Sequence, residues 1–339
     1  MSGVAPARRP RLDDVAARVG VSSATVSLVL RGVAGPSAET RDRVLEAAAA
    51  LGYRPDRTAS LLARRRRHLL GVLMDVHNSY HAELVEDLHD AAEARGYDLV
   101  LSTLTRSRDE RRAVETLLDF RCDALILLGP ESSPARLEDL GKQLPVVCVG
   151  RRLTSPVVDV VRTADDRGVA LAVEHLEGLG HHDIAFIDGG KGVIAADRRR
   201  GYRSAMRRLG LQDRATVVPG DHTEAAGSRA AALLTGADSP TTAVVASNDR
   251  CAVGFLDAVR RAGVAVPQRL SVVGYDDSTI SRLAHVDLTT VNQDPQAQAE
   301  HAVTVAVERL DGERTRPAEV VLPPRLVVRG STAPPVTRT

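Results

Sequence analysis

The sequence predicts a small all-α head followed by a two-lobed α/β body built on parallel sheets, and three observations predict it. Apolar residues recur at helical spacing from Leu12 to about Leu51. From residue 69 to about 275, short apolar runs alternate with amphipathic helices. The basic charge is concentrated at the N-terminus. At 339 residues the chain exceeds one ordinary domain and accommodates a small module plus two lobes.

The head opens on Leu12-Asp13-Asp14-Val15-Ala16-Ala17-Arg18-Val19, which sets Leu12, Val15, Ala16 and Val19 on one stripe. Gly20 follows, where the left-handed backbone of a tight turn favours glycine. Ser22 is placed as N-cap of a second helix, Ser23 to about Arg31, with Val26, Val29 and Leu30 facing inward. Small Ala16 opposite Val26 lets the two helices cross closely. This is the helix-turn-helix pattern, whose second helix enters the major groove; an αα-hairpin of any helical domain shares it. Residues 1–68 hold thirteen Arg and no Lys against six Asp or Glu, a local +7, whereas the remainder carries −6. A basic head on an acidic body points to a polyanionic partner for the head alone, the other reading being a solvated charged face.

Residues 1–10, rich in Pro and Arg, are expected to be disordered, and 11–55 to form the helix-turn-helix domain. After Arg54-Pro55, Asp56 offers an N-cap and Arg57 to Arg64 continue in helix-compatible residues, so 56–67 read as a hinge helix and linker. The body, 68–335, has expected strands Leu69–Met74, Asp98–Leu101, Ala124–Leu128, Val146–Val149, Ile184–Ile187, Ala243–Ala246 and Leu270–Val273. Expected helices between them are Ala82–Arg95, Arg108–Phe120, Arg167–Leu179, Arg198–Leu209, Thr223–Leu234 and Arg250–Ala262. Such alternation implies parallel sheets with helices on both faces, and so many units exceed one sheet.

With no Trp, three Phe and five Tyr, packing rests on Ala, Val and Leu, and a pocket has few rings to stack with. Cys122, Cys148 and Cys251 are isolated, without metal-ligand spacing; Cys148, within Val146-Val147-Cys148-Val149, reads as a buried thiol. No stretch resembles a signal peptide and no apolar run approaches the ~20 residues that cross a bilayer, so a cytoplasmic location is expected, with no membrane partner. Gly189-Gly190-Lys191-Gly192 lacks phosphate-loop spacing, no dinucleotide fingerprint is present, and no catalytic or metal arrangement stands out. Neither an enzyme nor a cofactor is expected.

Ligands of open parallel sheets sit beyond the carboxyl ends of the strands, and between lobes where there are two. That rule selects Asp75-Val76-His77-Asn78-Ser79-Tyr80-His81, Arg198 at a helix start, Gly220-Asp221-His222, Ala246-Ser247-Asn248-Asp249, Gly274-Tyr275-Asp276-Asp277 and Leu288 to Asp294. Each polar residue among them could be a cap or a turn residue, Asn78 above all; jointly they fall in one cleft.

Taken together, these residues resemble the lactose/galactose repressor (LacI/GalR) family from Leu12 to about Pro335. The resemblance rests on Asp14-Val15-Ala16, Gly20-Val21-Ser22, Ala24-Thr25-Val26-Ser27 and Glu39-Thr40-Arg41, with Leu288-Thr289-Thr290 as a further marker. It implies a periplasmic-binding-protein-like body, with an N-lobe at about 68–162 and 293–322 and a C-lobe at about 163–291 and 323–332. It also implies a repressor: a homodimer joined through the N-lobe, reading a palindromic operator in double-stranded DNA. A small-molecule effector, a sugar or related metabolite, would sit between the lobes and alter DNA affinity.

By the same resemblance Ser23, Ala24 and Leu28 face base edges, while Ser22, Thr25 and Ser27 hold the backbone. Leu62, with Ala59 beside it, wedges into a central base step, packing of Leu61 and Leu62 against the core being the alternative. Effector contacts are implied for Asp75, Tyr80, His81, Arg198, His222, Asn248, Asp276 and Gln293, with Arg199 and Arg200 turned to solvent. The sequence also departs from the family. Leu28 stands where Arg is frequent; Arg reads guanine bidentately, whereas Leu offers only apolar contact to a thymine methyl, so an unusual half-site is expected. Arg31 stands where Asn is common and is expected to contact phosphate or base. His222 replaces an aromatic ring and makes the pocket more polar. The Pro- and Thr-rich C-terminus carries no apolar heptads, so a tetramer is not expected.

Overall fold

The computed structural model describes residues 10–30, 32–53, 66–236 and 239–336. The N-terminal tail before them, Arg31, and the hinge with Ala59, Leu61 and Leu62 lie outside the described residues. The chain divides into two compact units, Met1–Arg67 and His68–Thr339.

In the first unit, α1 (Leu12–Val19), α2 (Ser23–Leu30) and α3 (Ala38–Leu51) enclose one small core of Val15, Ala16, Val19, Val26, Val29, Val44, Ala47 and Ala48. Gly20 adopts φ +78° and its N–H closes α1 onto Ala16 O at 2.9 Å. Ser22 Oγ accepts from the Thr25 N–H at 3.1 Å, capping α2, and Ser37 Oγ caps α3 through the Thr40 N–H. Arg43 on α3 donates to Val19 O at 2.7 Å, which satisfies a terminal carbonyl of α1 and fastens the three helices together.

The second unit has two lobes. The first holds β1 (Leu69–Asp75), α4 (Ser79–Glu93), β2 (Asp98–Leu104), α5 (Glu110–Asp119), β3 (Ala124–Leu128), α6 (Pro134–Gly141), β4 (Val146–Val149) and β5 (Asp159–Thr163). After β5 the chain enters the second lobe with α7 (Asp165–Gly178), β6 (Ile184–Ile187), α8 (Val193–Arg208), β7 (Thr216–Val218), α9 (Glu224–Leu234), β8 (Ala243–Ala246), α10 (Asp249–Arg261), β9 (Ser271–Val273) and β10 (Thr290–Asn292). It returns through α11 (Pro295–Asp311) and β11 (Glu319–Leu322), and crosses again to β12 (Arg325–Val327).

The first sheet runs β11-β5-β4-β3-β1-β2, all parallel, and the second β7-β6-β8-β9, also parallel; β10 and β12 form an antiparallel pair. Strands such as Ala124–Leu128 are buried throughout, because helices cover both faces of the sheet. Every carboxyl end of the central strands therefore points toward the space between the lobes. Two expectations need correcting. The helix expected to start at Arg198 begins at Val193, directly after Gly192, since Val193-Ile194-Ala195-Ala196 are themselves helix-compatible; Arg198 sits one turn in. Arg199 and Arg200 do not simply turn to solvent: each is ion-paired, with Asp188 and Asp197 respectively.

Candidate functional site

A cleft of about 720 Å³ opens between the lobes of the second unit. Asp75, Tyr80, His81, Arg198, His222, Asn248, Asp276 and Gln293 all line it. They come from the ends of β1, β7, β8, β9 and β10 and from the first turns of α4 and α8, so the topology explains why residues so far apart in sequence meet.

The wall from the second lobe is organised around Arg198, which is 4 % exposed. Its Nε donates to Asp165 Oδ1 at 2.7 Å and one terminal nitrogen to Ser247 O at 2.5 Å, while Asp276 Oδ1 lies 3.7 Å away. The guanidinium carbon sits 3.7 Å above the Tyr275 ring centroid, a cation–π contact inside the wall. Burial disfavours its charge, yet Asp165, Tyr275 and Asp276 outweigh that and hold it above the usual arginine value. Burial pushes the Asp276 carboxyl well up, against the pull of Arg198. Asp276 Oδ1 also accepts from Gln293 Nε2 at 2.7 Å. Asn248 caps α10, its Oδ1 accepting from the Cys251 N–H at 2.9 Å, so its NH₂ is the end left for the cleft.

The opposite wall is mostly uncharged. Leu84, Leu104, Leu128 and Val149 contribute apolar surface. His81 Nδ1 accepts from the Asp75 N–H at 3.1 Å, which assigns the ring proton to Nε2. Burial lowers its pKa to about 4, so the ring is neutral at pH 7. Asn78 takes the capping role, accepting from the Tyr80 N–H at 3.1 Å. Across the cleft, burial and then Arg198 hold His222 near pKa 3. Its ring lies against Gly189, where a Cβ would come within 2.1 Å of Cε1, so Gly189 leaves the space the ring fills. Sequence reasoning did not single out Arg151, Arg250 or Gln298, which also line the cleft. Arg250 forms an ion pair with Glu224 and donates to His77 O in the other lobe, a link between the walls.

In the first unit, Ser22 and Ala24 are exposed, and Ser23, Thr25, Ser27 and Leu28 are half-buried along α2. Ser22 Oγ and Thr25 Oγ1 are 2.9 Å apart, and Ser23 Oγ donates to Asp13 Oδ1 at 2.5 Å. Leu28 stays outside the core that takes its neighbours Val26 and Val29.

A helix-turn-helix head joined in one chain to a two-lobed body with a polar interlobe cleft defines a ligand-responsive DNA-binding regulator. Residues 11–56 match the bacterial regulatory proteins of the lacI family, and residues 173–332 match the periplasmic binding protein-like domain. The chain is 33% identical to the HTH-type transcriptional regulator CelR of Thermobifida fusca, over 96% of this chain and 98% of that protein. Among solved structures, the lac repressor dimer bound to operator and the anti-inducer ONPF is similar at TM-score 0.84 and 29% identity, covering 96% of this chain and all of that one. A CelR–cellobiose complex is similar at TM-score 0.69 and 31% identity, covering 95% and 100%. The chain belongs to the LacI family and is a DNA-binding transcriptional regulator. Among the described residues, no helix is long and apolar enough to cross a membrane.

Proposed function

We propose that this regulator is a dimeric repressor whose affinity for a palindromic operator is set by a neutral, polyhydroxylated effector, a sugar, held in the cleft. The observation that carries the effector class is Arg198. Its charge is already balanced by Asp165 and Asp276, so the wall offers directed donors and acceptors without an uncompensated cation to attract an anion. Vicinal hydroxyls suit such a wall: Asp276 accepts, while the Asn248 amide and His81 Nε2–H donate. The cellobiose complex of CelR and the operator-bound lac repressor dimer support this reading by similarity. Asp75, Tyr80, His222 and Gln293 complete the effector set. Ser22, Ser23, Ala24, Thr25, Ser27, Leu28 and Arg31 form the operator-reading set, with Ala59 and Leu62 at the hinge. The buried, neutral histidines of the cleft fit binding rather than catalysis, and a cytoplasmic site of action follows from the role.

Operator binding measured with and without cellobiose, D-glucose, D-galactose and D-ribose tests the switch. Because coupling is reciprocal, operator DNA must change the sugar's affinity by the same factor by which the sugar changes operator affinity. A coupling of one for a sugar that binds would end the proposal.

A further inference from the structure

Gln298 sits on α11 at the cleft, 1 % exposed, among residues that are otherwise strand ends. Its Nε2 lies 2.9 Å from each of three oxygens: Tyr80 Oη, Thr163 Oγ1 and Gln293 O. The Gln293 carbonyl can only accept, which fixes the amide: nitrogen toward this cluster, Oε1 away from it. Thr163 Oγ1 gives its own proton to Gln293 O at 3.1 Å, so toward Gln298 it too is an acceptor. Tyr80 Oη faces a nitrogen that can only donate. Its phenolic proton is therefore not used in that contact, and no acceptor for it stands among the described residues. Gln298 Oε1 likewise has no partner.

A buried polar group left unbonded costs about 1–3 kcal/mol, and natural interiors rarely carry one without a reason. Here two occur on touching side chains, one a spare donor and the other a spare acceptor, and both residues line the cleft. The group that donates once and accepts at the same atom is a hydroxyl. We propose that Tyr80 and Gln298 form a hydroxyl subsite of the cleft: Tyr80 Oη donates to one effector hydroxyl, and that hydroxyl donates to Gln298 Oε1. The subsite selects ligands bearing a hydroxyl there over their deoxy analogues, because a deoxy ligand leaves both buried groups unpaired. That the occupant is a sugar rests on the proposed function; the pairing of donor and acceptor does not.

Two measurements test it. In a high-resolution crystal structure of the full chain soaked in glycerol, one oxygen, of glycerol or of ordered water, should lie within hydrogen-bond reach of both Tyr80 Oη and Gln298 Oε1. A dry gap there, or an Oε1 turned onto a protein donor, overturns the subsite. Calorimetric titration with cellobiose, D-glucose, D-galactose and D-ribose should then show Tyr80→Phe and Gln298→Leu each weakening the sugar that binds by about tenfold or more. Tyr80→Phe removes one hydroxyl and no packing, so it reports even where Gln298→Leu fails to fold. Unchanged affinity in folded Tyr80→Phe also overturns the subsite. If the shared oxygen is present and none of the four sugars binds, the subsite stands and the sugar reading fails.

Discussion

The head and the cleft solve the problem of recognition in opposite ways. On α2 the recognition positions are exposed or half-buried and stand outside a core of eight small residues. In the cleft, the recognising groups are themselves structural: Arg198, Asp276 and Gln293 are each less than 8 % exposed and bonded to one another or to the chain around them. The head should thus tolerate changes of specificity without loss of fold. The cleft should not, because altering a binding residue also unbalances a buried network.

The largest expected effect follows from Arg198→Ala. Removing the cation leaves Asp165 and Asp276 buried without their partner, and breaking a buried pair in this way costs about 3–5 kcal/mol. Denaturant unfolding at pH 7.5 should show this loss, and Arg198→Lys should recover only part of it, since a lysine cannot serve Asp165 and Ser247 O in the same fork. A loss below about 1 kcal/mol would mean the wall is not prewired, and the contrast with the head would collapse.

The two neutral histidines give a pH-dependent version of the same contrast. An unfolded imidazole takes up a proton near 6.5, whereas folded His81 does so near 4 and His222 near 3. Below pH 6.5 the native state then binds fewer protons, so these groups lower stability as pH falls toward about 4; above 6.5 they add no slope. Buried Asp165 and Asp276, raised by burial, act in the other direction, so the informative quantity is a difference between proteins. His81→Asn keeps an acceptor near the Asp75 N–H and removes the titration. Urea midpoints between pH 4.5 and 7.5 should fall less steeply in this variant than in the parent chain. Identical slopes would mean that His81 is not held neutral by its surroundings.

These two regions also differ in how far they can be read from sequence. The head is legible because its signals are local: a stripe at helical spacing, one glycine at the turn, one serine at the cap. The cleft residues at strand ends were legible for a topological reason, since parallel strands send their carboxyl ends to one side. Gln298 was not, because in Pro295–Asp311 it is one of several polar residues on an amphipathic helix. Only the packing of α11 beneath the first lobe makes it a buried one. Gly189 was hidden differently: a glycine in Gly189-Gly190-Lys191-Gly192 suggests a turn, and its value as space for the His222 ring depends on a residue 33 positions later. The start of α8 was misplaced because an apolar stretch after a glycine fits a loop or a helix equally well.

The smallest effect on stability, and the sharpest on specificity, belongs to Leu28. Val26 and Val29 face the core and Leu28 does not, so Leu28→Arg should leave stability within about 0.5 kcal/mol, as for other surface changes. What it should change is the preferred base. A leucine can contact only a thymine methyl, whereas an arginine at the same place can pair bidentately with guanine, a difference of about 1–3 kcal/mol per base pair. Randomised-site selection on both proteins should therefore return half-sites that differ at one position, with guanine enriched only by the Leu28→Arg protein. If both select the same half-site, Leu28 does not face the bases, and α2 meets the groove through Ser23 and Ala24 alone. If the variant instead unfolds, position 28 belongs to the core after all, and the head is wired as tightly as the cleft.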